Sequence, residues 1–130
     1  MASFCIIVTS SPLESQDCYS AYRFVQAAIE DGHSISGVFF YQSGVELANS
    51  FQTMLSDELA IYPKWCELAD KHAIPLQVCV TAANRRGILS EQDSLQNDTP
   101  ALFNLNPPFQ SVGIGELVSM LNESDRSIQF

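Results

Sequence analysis

The chain has 130 residues, the size of one domain with a core of its own, and at this length folding buries roughly two-thirds of the unfolded surface. Its apolar fraction of 46% is ordinary, but its charged fraction of 16% is low, so part of the exterior is expected to face another subunit. Fifteen acidic against six basic residues leave a net charge of −9, which argues against direct binding to nucleic acid or to an anionic membrane surface.

The first apolar run, Phe4 to Val8, has a strand's length and not that of a signal peptide. No run approaches the ~20 apolar residues that cross a bilayer, and the expectation is a soluble, cytoplasmic protein. Thr9-Ser10-Ser11-Pro12 ends the strand in a polar loop. From about Ser15 to Asp31 apolar residues recur at spacings of three and four (Cys18, Tyr22, Val25, Ala28/Ile29), which predicts a helix closed by Gly32. Ser34 to Tyr41 reads as a second strand, rich in branched and aromatic residues, followed by a polar stretch from Gln42 to Ser56. Ser56-Asp57-Glu58 is a good helix start, and the helix runs to about His72, burying Leu59, Tyr62, Trp65/Cys66 and Ala69. Pro63 is tolerated only in a first turn, which moves the regular helix towards Ile61.

Leu76 to Val80 is the third strand, and Thr81 to Arg86 a short helix stopped by Gly87. Residues 90–108 read as a long polar loop with one helical turn. Phe109 to Val112 is a short strand, Gly115 to about Ser124 a helix, and Ser127 to Phe130 a final strand. Strands alternating with helices predict an α/β fold: a single domain over 1–130, with a largely parallel sheet of about five strands flanked by helices.

In such a sheet, sites gather beyond the carboxyl ends of the strands. Of the four cysteines, at 5, 18, 66 and 79, only Cys79 stands at such an end, before a helix N-terminus. The helix dipole, with Arg85 and Arg86 nearby, favours thiolate over thiol, and a thiolate is the nucleophile that accepts sulfur from a persulfide. Against this stands the plainer role of a small buried strand residue, and for Arg85 and Arg86 that of a solvated pair at a helix C-terminus. Cys5, Cys18 and Cys66 fall on apolar stripes and are expected in the core. His33 and His72 precede strands, and a five-residue strand spans ~17 Å, so neither is expected to pair with Cys79. The cysteines and histidines have no metal-ligand spacing. Gly113-Ile114-Gly115 lacks the full dinucleotide-loop pattern, and Thr9-Ser10-Ser11 lacks the glycine of a phosphate loop; neither a metal nor a cofactor is expected.

Val38-Phe39-Phe40-Tyr41 followed by Gly44-Val45 resembles the second-strand region of the DsrE/TusD family. Cys79-Val80-Thr81-Ala82-Ala83-Asn84-Arg85-Arg86-Gly87 resembles that family's cysteine segment, with its double arginine and glycine. The ending Asp125-Arg126-Ser127-Ile128-Gln129-Phe130 and the Ser56-Asp57-Glu58 helix start are similar to the TusD branch. The likeness runs in order along essentially the whole chain, with departures in the loop 92–108 and at Pro63.

The resemblance implies a DsrE-like fold with flavodoxin-like layering and a persulfide carried on Cys79, with Arg85 and Arg86 supporting the thiolate. It implies TusB-like and TusC-like subunits in a heterohexamer, a TusA-like donor and a TusE-like acceptor. The sulfur then ends as the 2-thio group of a tRNA wobble uridine, and the acidic chain itself need never touch the tRNA. Three alternatives stay open: DsrE-type sulfur transfer in dissimilatory sulfur oxidation, a non-catalytic scaffold, and a flavin binder on a flavodoxin-like sheet.

Overall fold

A computed structural model of the chain describes residues 1–53, 56, 58–96, 98 and 102–130. Its centre is a five-stranded sheet built from β1 (Ser3–Val8), β2 (Ser34–Phe40), β3 (Leu76–Cys79), β4 (Phe109–Val112) and β5 (Arg126–Gln129). The order is β4-β3-β2-β1-β5, and every neighbouring pair is parallel. The expected α/β class and strand count therefore hold.

Parallel strands need crossovers, and helices supply them. α1 (Asp17–Glu30) joins β1 to β2 and α2 (Ile61–His72) joins β2 to β3. α3 (Val80–Asn84) and α4 (Glu91–Gln96) lie between β3 and β4, and α5 (Gly115–Glu123) carries the chain from one sheet edge to the other. The first three connections run one way along the sheet and the last runs back. Right-handed crossovers then put α5 on the face opposite α1 and α2. Side chains on β2 agree: the Phe40 ring meets Trp65 of α2 at 5.7 Å, edge on, while Gly37 lies under Met120 of α5. Alternate residues of one strand face opposite layers.

The α1–α2 face holds most of the core. Cys18, Ala21, Val25 and Ala28 form the buried stripe of α1, and Ile61, Trp65, Leu68 and Ala69 that of α2. Trp65 is fully buried and its indole N–H donates to the Cys18 carbonyl at 3.2 Å, so the largest core side chain also ties the two helices together. The α5 face is thinly covered. Only Met120 of that helix is buried, while Ile114, Val118 and Leu121 present an apolar stripe that is 48%, 55% and 38% exposed.

Several sequence readings change. The helix expected from Ser56 starts at Ile61, which puts Pro63 in its first turn, where a missing N–H costs nothing; Leu59 lies before the helix and is exposed. Asp57 of the expected helix start lies outside the described residues. The polar stretch after β2 is a 3-10 helix, Gln42–Ala48, whose Val45, Leu47 and Ala48 are buried. The third strand ends at Cys79 and not at Val80. The helical turn expected in the long loop is present as α4, which Ser90 and Asp93 start as a capping box: the Asp93 N–H donates to Ser90 Oγ at 3.1 Å and the Ser90 N–H to Asp93 Oδ2 at 3.2 Å.

Buried Asn104 joins the loops behind the sheet's carboxyl edge. Its amide donates to Asn49 Oδ1 at 2.9 Å and to the Gly87 carbonyl at 3.2 Å, and its Oδ1 accepts the Leu89 N–H at 2.9 Å. Asn104→Ala removes three bonds and leaves buried polar groups unpaired, so urea titration should show a loss of about 2–3 kcal/mol. A loss within error would mean that water takes over all three bonds.

Candidate functional site

Three connections converge beyond the carboxyl ends of β1, β2 and β3. The Tyr41 N–H donates to the Val8 carbonyl at 2.9 Å, which pins the end of β2 to β1. The chain then turns through Gln42, at φ 51°, a conformation that costs a non-glycine residue about 1 kcal/mol or more. Gly44 follows, so close to β1 that a Cβ there would lie 2.1 Å from the Val8 carbonyl oxygen.

Cys79 is the last residue of β3 and the residue from which α3 springs, with φ −62° and ψ 117°. The pairing Phe40↔Val78 puts Val78 on the α2 face, so Cys79 takes the opposite, thinly covered face. It is 4% exposed, at the floor of an open cleft of about 500 Å³ whose walls include Tyr41, Gln42, Arg85, Arg86 and Ile114. The structure places Cys79, Arg85 and Arg86, the three residues singled out in the sequence, in the lining of one cleft. Of the four cysteines, Cys79 is the one that shares a cleft with cations.

The two arginines differ in their partners. Arg86 Nη1 donates to the Ala82 carbonyl at 3.0 Å, and its Nε lies 4.0 Å from Glu46 Oε1. At one-third exposure such a pair adds about 1 kcal/mol or less, so it places the side chain more than it stabilises the fold. Glu46 in turn accepts a hydrogen bond from Ser11 Oγ, and Ser11 is buried. Among the described residues, Arg85 makes no ion pair or side-chain hydrogen bond. α3 ends at Asn84, Arg85 is its C-cap, and Arg86 lies in the turn that Gly87 closes at φ 73°.

The other cysteines are occupied otherwise. Cys5 is fully buried and its thiol is pushed up by that burial. Cys66 is half-buried on α2, where burial raises its thiol while a hydrogen bond with Tyr62 pulls the other way. Cys18 lines a second cleft of about 510 Å³ with Leu13, Tyr19, Glu58 and Ile61. There burial, and then the carboxylates of Asp17 and Glu46, push its thiol up to about 12, while Sγ donates to the Ser10 carbonyl at 3.4 Å. A thiol held protonated is a poor nucleophile.

Two consequences follow for Cys18. It should resist iodoacetamide near neutral pH, as mapped by peptide mass. Its ordinary value is 9.0, so the stability it confers is complete below about pH 9 and is lost as pH rises towards about 12. Cys18→Ala should flatten that part of an alkaline stability profile, and an unchanged slope would assign it to the other groups that burial raises, Cys5, Cys66 and Tyr62, the last to about 12.

The histidines stay at the amino edge, as expected: His33 Nδ1 accepts the Ala2 N–H at 3.0 Å, and its ring packs on Phe4. Sequence reasoning missed Glu46, Tyr41, Gln42 and Ile114 as parts of the site. Only Glu46 carried a signal, an acidic residue in a stretch otherwise poor in charge, and nothing in the spacing aimed it at Arg86.

The model of the DsrE/DsrF-like family matches residues 2–130. The sulfurtransferase TusD of Serratia proteamaculans is 42% identical over 130 residues, covering all of both chains. The sulfurtransferase TusD of Pectobacterium atrosepticum is 40% identical over the same span, and the DsrE protein of Allochromatium vinosum is 38% identical over 127 residues, 98% of this chain and 97% of that one. Among solved structures, the ychN protein from E. coli superposes with a TM-score of 0.77 over 100% of both chains at 17% identity, a likeness of fold. With a family match over nearly its whole length and full-length relatives at about two-fifths identity, this chain belongs to the DsrE/DsrF-like family.

Proposed function

We propose that the chain is a persulfide-carrying sulfurtransferase subunit of a sulfur relay, with Cys79 as the residue that takes up and hands on the sulfur. The observation that carries this reading is the placing of Cys79 at the floor of an open cleft with Arg85 and Arg86. The full-length relatives named sulfurtransferase TusD support it.

The chemistry is an exchange without net oxidation. The Cys79 thiolate attacks the outer sulfur of a donor persulfide. A new S–S bond forms as the donor's S–S bond breaks, and the donor leaves as a thiolate. Cys79 now carries the persulfide, and an acceptor thiolate repeats the step on its outer sulfur, restoring Cys79. No metal, flavin or external oxidant enters the balance. The Arg85 guanidinium, which lines the cleft, attracts the incoming anionic sulfur and offsets the charge of the leaving thiolate.

In this reading sulfur comes from a TusA-like donor and goes to a TusE-like acceptor, for 2-thiolation of a tRNA wobble uridine in the cytoplasm. The whole chain, 1–130, works as a single domain beside TusB-like and TusC-like subunits, and the stripe Ile114, Val118, Leu121 is surface for such contacts. The DsrE relative favours one second reading, sulfur transfer in dissimilatory sulfur oxidation. The chemistry at Cys79 is the same, and the identity of the acceptor separates the two.

The test is intact mass after exposure to a persulfide donor. The chain should gain a sulfur atom on Cys79, mapped by peptide mass, and lose it to an acceptor thiol. Sulfur bound to another cysteine, or none bound, would overturn the assignment.

A further inference from the structure

Arg85 and Arg86 line one cleft, but Arg86 is committed elsewhere. It spans from the Ala82 carbonyl in α3 to the Glu46 carboxylate in the 3-10 helix, and Ser11 fixes that carboxylate from the β1–α1 loop. A salt bridge at 4.0 Å brings its own negative charge to the site with the positive one. This matters for a sulfur carrier. Two uncompensated guanidiniums would raise the thiolate fraction, but a thiolate stabilised that far is a weaker nucleophile.

We propose that Glu46 is a positioning residue for Cys79: it holds Arg86 as a neutralised strut between α3 and the 3-10 helix and leaves Arg85 as the cation presented to the reacting sulfur. The inference rests on Cys79 as the sulfur carrier. The titratable and charged groups around the two centres are Tyr41 at the end of β2, Arg85 and Arg86 after α3, and, at Glu46, Cys18 of α1 with its neighbour Asp17. The Cys18 thiol feels the charges of both Asp17 and Glu46, while Tyr41 and Arg85 line the cleft, so removing Glu46 changes the balance at Cys79 through Arg86.

The measurement is the rate of Cys79 alkylation by iodoacetamide against pH, mapped by peptide mass, with folding checked by thermal melting. Glu46→Gln releases the charge of Arg86, so its profile should move to lower pH, with alkylation near neutral pH about threefold faster. Arg85→Gln should slow it by about threefold. Glu46→Gln combined with Arg86→Gln removes the pair as a unit and should return the profile close to that of the wild type. A merely structural Glu46 would leave the profile in place or move it to higher pH, which overturns the proposal. So does a double variant as slow as Arg85→Gln. Should Glu46→Gln alone fail to fold, the double variant against Arg85→Gln decides: equal rates overturn the proposal.

Sulfur uptake from a small-molecule persulfide is followed on the same proteins. Uptake on Cys79 with unshifted profiles removes only the role of Glu46. Absence of uptake by the wild type removes the carrier reading, and this inference with it.

Discussion

Cys79→Ser should fold as the wild type does and take up no sulfur. The structural half of this expectation comes from where the residue sits. Cys79 ends β3 with extended backbone angles and stands at the N-cap position of α3, where its thiol makes no capping bond. Serine is among the preferred residues at that position, because its oxygen accepts from the free amides of the first turn. Its smaller volume at a 4% exposed site costs little, so the melting temperature should stay within a few degrees of the wild type. The chemical half is absolute: an oxygen nucleophile cannot hold and hand on the outer sulfur as a persulfide. The other three substitutions set the control. Cys5→Ser puts a hydroxyl into a fully buried site and should cost about 1–3 kcal/mol. Cys18→Ser keeps a donor for the Ser10 carbonyl and should cost less. All three should still gain a sulfur atom from a donor and release it to a thiol. If Cys79→Ser, by intact mass, still takes up sulfur and passes it on, Cys79 is not the carrier.

The contrast between Cys79 and Cys18 also shows how far the sequence could be read. Both stand near the carboxyl edge of the sheet, each lining a cleft of about 500 Å³. The sequence separates them because Cys18 falls on a helical apolar stripe and Cys79 ends a strand, and those are local patterns. The strands and most helices were legible for the same reason: β1, β2 and α1 carry clean periodicities that tertiary contacts reinforce. The 3-10 helix Gln42–Ala48 was not, because its buried residues follow no helical or strand period. They are buried by the close approach of Gly44 to β1, a contact 36 positions away in sequence. Strand order was equally hidden, since the return of β5 to the far side of β1 depends on a crossover and not on composition. The same limit applies to Glu46. Its pairing with Arg86 joins two loops that are neighbours only once β1, β2 and β3 are side by side.

Gly44→Ala should be the most destabilising single change in this part of the molecule. The 3-10 helix reaches the site because the chain at Gly44 lies directly on the end of β1. A Cβ at that position would stand 2.1 Å from the Val8 carbonyl oxygen, 2.7 Å from its carbon and 3.2 Å from the Thr9 nitrogen. All three are backbone atoms, so no side chain can turn away to relieve the overlap. By contrast, a Cβ at Gly37 would meet the tip of Met120 at 2.5 Å, and that flexible side chain can move. At Gly44 relief requires the 3-10 helix to lift from β1. Lifting it breaks the Tyr41 N–H bond to Val8 and the Gly44 N–H bond to Tyr41, both 2.9 Å, and draws Val45 and Leu47 from the core. The cost should reach about 3 kcal/mol or more, the upper end for overpacking, and should appear as a lower urea midpoint with little change in slope. The same movement carries Glu46 away from Arg86, so alkylation of Cys79 should lose its wild-type pH profile even where the variant stays folded. Gly37→Ala serves as the matched control, with a smaller loss of stability and an unchanged profile. If Gly44→Ala is no less stable than Gly37→Ala, the 3-10 helix is not anchored through this contact, and the wall it gives the Cys79 cleft is held by the Asn104 bonds instead.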